Sequence, residues 1–275
     1  MGDPLDYDEQ EARQEAAIYK TSAAADRRQR VRDLLHLQSG ETVLSIGCGP
    51  GFEPLELART VGDTGHVHGI DQSRAMLALA KRRCETLPQV TLTQADATRL
   101  PVMERAFDAV VAVQAYEYLD DVSTAVTELS RVLRPSGRAV ICDADFASLV
   151  WRSPNPERME RVLDAFDDHC PQPRLGSKLE PYFRNTGLTI ERVEPNSILN
   201  TNLDEDAFAY HLMQFITEYA ADHDKIGPDE AQAWADDLHK CEEMGRRSST
   251  SLSTSISFAK PSRLRQRAPS VDGVL

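Results

Sequence analysis

Two spacings of apolar residues alternate along the first half of this chain. Short apolar runs, each stopped by glycine, aspartate or a polar turn, are separated by longer stretches in which apolar positions recur every three or four residues. The runs at Val43–Ile46, His66–Ile70, Val90–Gln94, Phe107–Val113 and Arg138–Cys142 read as strands, and Phe107–Val113 is apolar enough to be covered on both faces. Between them, Glu53–Thr60, Ser73–Cys84 (Met76, Leu77 and Leu79 inward) and Val122–Leu133 read as helices, the last stopped by Pro135-Ser136-Gly137. Residues 8–37 are helical in pattern, with a polar break at Thr21-Ser22 that predicts two helices, the second near Asp26 to Leu37. Strand following helix in this rhythm predicts an α/β fold with a doubly wound parallel sheet.

After Asp143 the rhythm changes. A helix is expected at Pro156–Cys170, a sixth strand at Leu188–Val193, and helices near Glu205–Tyr219 and Asp229–Met244. The organisation expected is one domain over residues 1–245, with a core at 40–142 and helical insertions at about 144–185 and 204–244. The remaining segment, 246–275, differs in composition. It holds six basic residues and one acidic residue, whereas residues 1–245 carry 25 basic and 43 acidic. The strand candidate there is Ser251–Ala259, which places Leu252, Thr254, Ile256 and Phe258 on one face and serines on the other. A serine face is unusual for an internal strand. The abrupt Ser/Arg bias therefore also predicts a disordered end, read from a frame broken near Gly245, with a basic nucleic-acid-binding tail as the competing reading.

Overall charge narrows the partners. A net charge of −13 argues against a nucleic-acid backbone as ligand. No apolar run approaches the roughly 20 residues needed to span a bilayer, and the acidic N-terminus is unlike a secretory signal, so a cytoplasmic setting is expected. Cys48, Cys84, Cys142, Cys170 and Cys241 show no metal-ligand spacing and read as free, buried thiols, with no metal expected.

The chemistry is concentrated in ETVLSIGCGPG, residues 41–51. A strand, a glycine turn and a helix start place free backbone N–H groups at a ligand. The dinucleotide fingerprint G-x-G-x-x-G requires a glycine at position 52, and this chain has Phe52. A nicotinamide oxidoreductase is disfavoured accordingly. Asp71 ends the second strand and can accept from two ribose hydroxyls, or else cap the Ser73 helix. Asp96, at the end of the third strand, can accept from an adenine amino group, with the Ala97 N–H offered to a ring nitrogen; the alternative is a solvated turn aspartate.

The motifs SIGCGPG, GIDQSRAML, QADATRLP, FDAVVAVQAYEYLDD and LRPSGRAVI are similar to those of class I S-adenosylmethionine-dependent methyltransferases. The likeness is greatest to the small-molecule branch that includes ubiquinone and menaquinone biosynthesis, and it is strong over residues 40–142. It implies a Rossmann-like seven-stranded sheet with a final antiparallel strand and S-adenosylmethionine as cofactor. By position, Gly47, Gly49 and Gly51 would approach its methionine part, Asp71 its ribose, Asp96 and Ala97 its adenine, and Gln114 its amino-acid end, with Cys48 and Gln72 also at the cofactor. Tyr19 would cover it from an N-terminal lid or else pack in the core. Many relatives have an acidic residue where this chain has Ser45.

Methyl transfer from a sulfonium mainly needs approach geometry and desolvation. Candidates for a base are Tyr116, Glu117, Asp143 and Asp145, with Tyr210, His211 and Gln214 as residues of a lid facing the acceptor. The acceptor expected is a small molecule methylated at O, N or C. Arsenite is disfavoured because Cys48 lies inside the glycine loop and position 114 is Gln. A catalytically silent S-adenosylmethionine- or S-adenosylhomocysteine-binding protein is the alternative, and the oligomeric state is open.

Overall fold

The computed structural model describes residues 9–184, 186–243 and 250–261. Thr21 divides the N-terminal segment as the polar break predicts. Its hydroxyl donates to the Ile18 carbonyl at 2.7 Å, ending α1 (Glu9–Ile18), and accepts from the Ala24 N–H, capping α2 (Ser22–Leu35). Because the cap sits at Thr21, α2 starts four residues before the expected Asp26. Ala24, Arg27, Arg28, Val31, Leu34 and Leu35 form its buried face.

The parallel half of the sheet comprises β1 (Thr42–Ile46), β2 (His66–Asp71), β3 (Val90–Gln94) and β4 (Phe107–Val113), separated by α3 (Phe52–Val61), α4 (Arg74–Arg83) and a connection without a helix. Helix α5 (Val122–Val132) leads into β5. In α4 the buried apolar residues are Met76, Leu77 and Ala80; Leu79 is only half-buried. With β5 (Leu133–Trp151), β6 (Leu188–Asn200) and β7 (Thr250–Pro261), the order across the sheet is β3-β2-β1-β4-β5-β7-β6, with β7 antiparallel to both neighbours.

Strand β5 corrects the sequence reading. It runs from Leu133 to Trp151, far beyond the expected Arg138–Cys142. The expected part pairs in parallel with β4, Ala109 opposite Arg138 through Val113 opposite Cys142. Past Cys142 the strand outruns β4 and continues along β7 (Thr250–Pro261), which also pairs along β6 (Leu188–Asn200). A register shift between Asp145 and Val150 and a proline at 195 hide this extension from periodicity.

The extension curls over α6 (Pro156–Phe166), α7 (Phe208–Ala221) and α8 (Pro228–Glu243). Phe146, Leu149, Trp151, Ile198 and Leu252 from its strands pack with Phe166, Met213 and Trp234 in a core separate from those of the parallel half. Trp151 meets Trp234 edge to face at 5.4 Å, the arrangement that ring quadrupoles favour. On β7 the described buried side chains include Thr254 and Ser257 as well as Leu252 and Ala259, so the polar residues are not confined to one exposed face. Thr254 Oγ1 donates to the Asn196 carbonyl at 3.0 Å, which is how an internal strand tolerates a hydroxyl. Residues 246–249 and 262–275 of the Ser/Arg-rich tail lie outside the described residues.

Candidate functional site

Four strands of the parallel half end at one level. The register sets Ile46 beside Ile70 and Ala112, and Asp71 beside Gln94. The segments that follow β1, β2, β3 and β4 therefore meet at the C-terminal edge, where open sheets collect ligands. They bound a cleft lined by residues of all four segments.

Close packing dictates the glycine loop. Gly47 and Gly51 have φ of 65° and 87°. A Cβ on Gly47 would lie 2.4 Å from the Ala115 Cβ, and one on Gly51 2.6 Å from the Ala80 Cα. Gly49 differs, since a Cβ there would meet nothing nearer than the Tyr19 ring at 3.9 Å. Its N–H donates to Asp71 Oδ2 at 2.7 Å, while Asp71 Oδ1 accepts from the Ser73 N–H at 2.9 Å. Asp71 thus ties the loop to the start of α4, and each carboxylate oxygen keeps a lone pair for a ligand. Burial raises its pKa; the bonds from Ser73 and Gly49 pull the other way.

Of the residues expected around a cofactor, Gly47, Gly49, Asp71, Gln72, Ala97, Gln114 and Tyr19 line the cleft. Cys48, Gly51 and Asp96 do not. Cys48 is buried under the loop against Gly69, and Gly51 seats α3 on α4. Asp96 is exposed and its Oδ1 accepts from the Thr98 N–H at 2.7 Å, the turn role named as its alternative. Gln114 adopts φ 49°, unusual for a residue with a Cβ, and is held there by its N–H bond to the Cys142 carbonyl at 2.7 Å.

The candidate bases lie elsewhere. Tyr116 is fully buried and its hydroxyl donates to the Ala125 carbonyl, with burial raising its pKa. Asp143 Oδ1 accepts from the N–H groups of Ala115, Tyr116 and Glu117 at 3.2, 3.2 and 3.4 Å. Glu117 Oε2 accepts from the Ala144 N–H at 2.7 Å. These two buried carboxylates fasten the end of β4 to β5, and burial pushes both pKa values up, reinforced at Glu117 by repulsion from Asp143. Asp145 bonds the Ala147 N–H, and Tyr210, His211 and Gln214 are half-buried on α7, none of them lining the cleft.

Sequence reading passed over Ala115 and Tyr118, which do line it. They belong to a 3₁₀ turn over Tyr116–Tyr118 and its cap, and residues three apart eclipse in such a turn. Ala115 and Tyr118 consequently face one way and Tyr116 and Glu117 the other. Arg27 and Glu53 were also passed over. They line a narrower cavity beneath the loop, with room for about one water molecule, which shares Tyr19 and Gly47 with the cleft. The Nε and Nη1 atoms of Arg27 and both carboxylate oxygens of Glu53 are buried without hydrogen-bond partners. Burial pushes Glu53 up to about 7. Spacing could have found Arg27, four residues before Val31 on the apolar stripe of α2. Phe52, standing at the position of the absent glycine, stacks on Tyr19 at 6.4 Å and lies under the Arg83 guanidinium at 3.6 Å.

No helix among the described residues is long and apolar enough to cross a membrane, and no group of His, Cys, Asp and Glu among them could hold a metal ion.

Comparison with known proteins agrees with this geometry. Residues 43–137 match the model of a methyltransferase domain. The chain is 34% identical over 118 residues to demethylmenaquinone methyltransferase of Oceanobacillus iheyensis, covering 42% of this chain and 50% of that one. It is 33% identical over 147 residues to 2-phytyl-1,4-naphtoquinone methyltransferase of Trichormus variabilis, covering 51% and 61%. The chain spans about half the length of the curated relatives it matches. Phosphoethanolamine N-methyltransferase 2 of Haemonchus contortus, in complex with S-adenosyl-L-methionine, has the same fold with a TM-score of 0.62 at 17% identity, over 94% of this chain and 58% of that one.

Proposed function

We propose that this chain, which belongs to the class I S-adenosylmethionine-dependent methyltransferases, methylates an apolar aromatic small molecule at oxygen or carbon. The observation that carries the reading is the convergence of the glycine loop, Asp71, Ala97 and Gln114 on one cleft. The donor fits these residues: Gly49 leaves open space beside the loop, and Asp71 keeps lone pairs for ribose hydroxyls.

When bound, the donor supplies a methyl group already activated by its sulfonium. The chain's residues hold, orient and shield. Asp71 would hold the sugar, the Ala97 backbone the adenine, and Gln114 the amino-acid end. Tyr118, Leu119 and Tyr19 give the cleft an aromatic and apolar side that excludes water and accepts a flat ring. Among the described lining residues the titratable side chains are Asp71, Tyr19 and Tyr118, and Asp71 is committed to the loop. An acceptor with a weakly acidic hydroxyl or ring carbon, as in a quinol, needs only proton loss to solvent through such hydroxyls. The names of the relatives support the same class.

The test is turnover of methyl-labelled S-adenosylmethionine against a panel of quinols, phenols, amines and carboxylic acids. Labelled quinol or phenol products are expected. Labelled amines alone would overturn the acceptor class. S-adenosylhomocysteine binding without any transfer would favour a silent binding protein.

A further inference from the structure

Gln114 lines the cleft on a left-handed backbone, and a buried carboxylate stands behind it. Its side-chain Nε2 donates to Glu117 Oε1 at 3.5 Å. Among the described residues its own Oε1 has no hydrogen-bond donor. Glu117 is wholly buried, and its other oxygen, Oε2, accepts from the Ala144 N–H at 2.7 Å. The two oxygens therefore do different work. Oε2 clamps the turn to β5, and Oε1 is held toward the amide of Gln114.

A primary amide has a donor end and an acceptor end of nearly the same shape. Beside an ionised carboxylate only the donor end fits, because two oxygens facing each other repel. Beside a protonated carboxyl the choice reverses. Oε2 faces an N–H and has no room for a proton, so the proton belongs on Oε1, where it donates to the amide oxygen of Gln114. The turned amide keeps its shape and exchanges an acceptor for a donor on the cleft side. The groups around Glu117 decide when this happens. Asp143, facing it from β5, accepts from three backbone N–H groups and Glu117 from one, so Glu117 is the readier to keep a proton. Burial, then repulsion from Asp143, holds that proton, while the Arg27 guanidinium on α2 draws Glu117 toward its charged form. The thiols of Cys142 on β5 and Cys170 after α6 feel its charge, and burial keeps both protonated.

We propose that Glu117 is a positioning residue acting through Gln114: a proton on its Oε1 turns the amide over and decides whether the cleft meets an oxygen or an N–H there. This rests on the donor reading given above, in which Gln114 meets the amino-acid end. With Glu117 ionised, the amide oxygen is available to the α-ammonium of the methionine tail; with Glu117 protonated, that acceptor is withdrawn. The rival role is a structural clamp alone, in which Glu117 holds Ala144 and the amide is indifferent to its charge.

The side-chain amide of Gln114 reports the turn without any ligand. Its nitrogen–proton NMR signals, assigned by their loss in Gln114→Asn, should shift through one step between about pH 6 and pH 9, and Glu117→Gln should abolish that step. Asparagine tolerates the left-handed backbone but falls one methylene short of Glu117. Calorimetry supplies the second readout. S-adenosylhomocysteine carries the amino-acid tail, and 5′-methylthioadenosine keeps the nucleoside and thioether without it. The preference of unaltered protein for the first should rise about 3- to 10-fold across the same window and stay flat in Glu117→Gln. Glu53→Gln, which removes the other carboxyl titrating near 7, should leave the rise in place. No amide step, a step that survives Glu117→Gln, or a step with a flat preference would each overturn the inference. A clamp alone predicts equal losses on both ligands at every pH. If Glu117→Gln does not fold, Gln114→Asn takes its place: a flattened preference supports the inference and an undiminished rise overturns it. Unaltered protein that binds neither ligand would refute the donor reading itself, while the amide signals still decide whether Glu117 turns Gln114.

Discussion

The two halves of the sheet solve different problems. In the parallel half, strands of five to seven residues end together and pass straight into loops that hold the cleft, and the inner two, β1 and β4, are mostly apolar and buried. In the antiparallel half, β5, β7 and β6 run for 19, 12 and 13 residues, carry many polar side chains, and are stabilised by what packs on them. The first half fixes a cleft by backbone shape; the second is held by a helical core of its own.

The largest effect that would sharpen the contrast is expected from Trp234→Ala. It removes a fully buried ring from the helical core, and should cost about 3–5 kcal/mol in urea denaturation while leaving the nucleoside contacts of the folded fraction intact. A comparable loss of 5′-methylthioadenosine affinity in folded protein would break the separation. Gly47→Ala should do the reverse. Its Cβ collides with Ala115 in a left-handed backbone, costing about 2–4 kcal/mol and abolishing ligand binding by calorimetry. Asp71→Ala should weaken S-adenosylhomocysteine about 10- to 100-fold, since it removes the proposed ribose acceptor and the brace on Gly49 together.

A pH scan adds a smaller effect. The carboxyls of Glu53, Glu117 and Asp143 have raised pKa values in the folded chain, so the folded state holds protons that the unfolded state releases. Stability from this source is complete below the ordinary carboxylate range and is lost as pH rises through about 7, where Glu53 ionises. The urea midpoint should fall between pH 5.5 and pH 8, less steeply for Glu53→Gln, with Arg28, Arg32 and Glu56 setting the field around that site. Smallest of all, Thr254→Val should cost about 1 kcal/mol by deleting the bond to Asn196.

The same contrast decides what could be read from the sequence. β3 and β4 were readable to the residue, and β1 and β2 to within one, because each is a short run rich in apolar or β-branched residues bounded by turns. β5 and β6 were not, because beyond Cys142 and Val193 their polarity reflects a neighbouring strand that arrives from residues 250–261. In the site, the glycines and Asp71 announce themselves by type and spacing. Tyr118 depends on a 3₁₀ turn, and the importance of Arg27 and Glu53 depends on which charges remain unpaired after packing. That is a property of three dimensions.

The position of β7 has a consequence for biosynthesis. It is made after β6 but must lie between β5 and β6, so β6 has no place in the sheet until residues 250–261 have been synthesised. A nascent chain can assemble the donor half once β5 has emerged, whereas the long strands and helices after it must wait with their apolar faces uncovered. Such late, long-range closure is slow and exposes the chain to aggregation. The demand on cellular chaperones should therefore fall on the antiparallel half, and mutations that delay β7 should lower yield before they lower affinity for the donor.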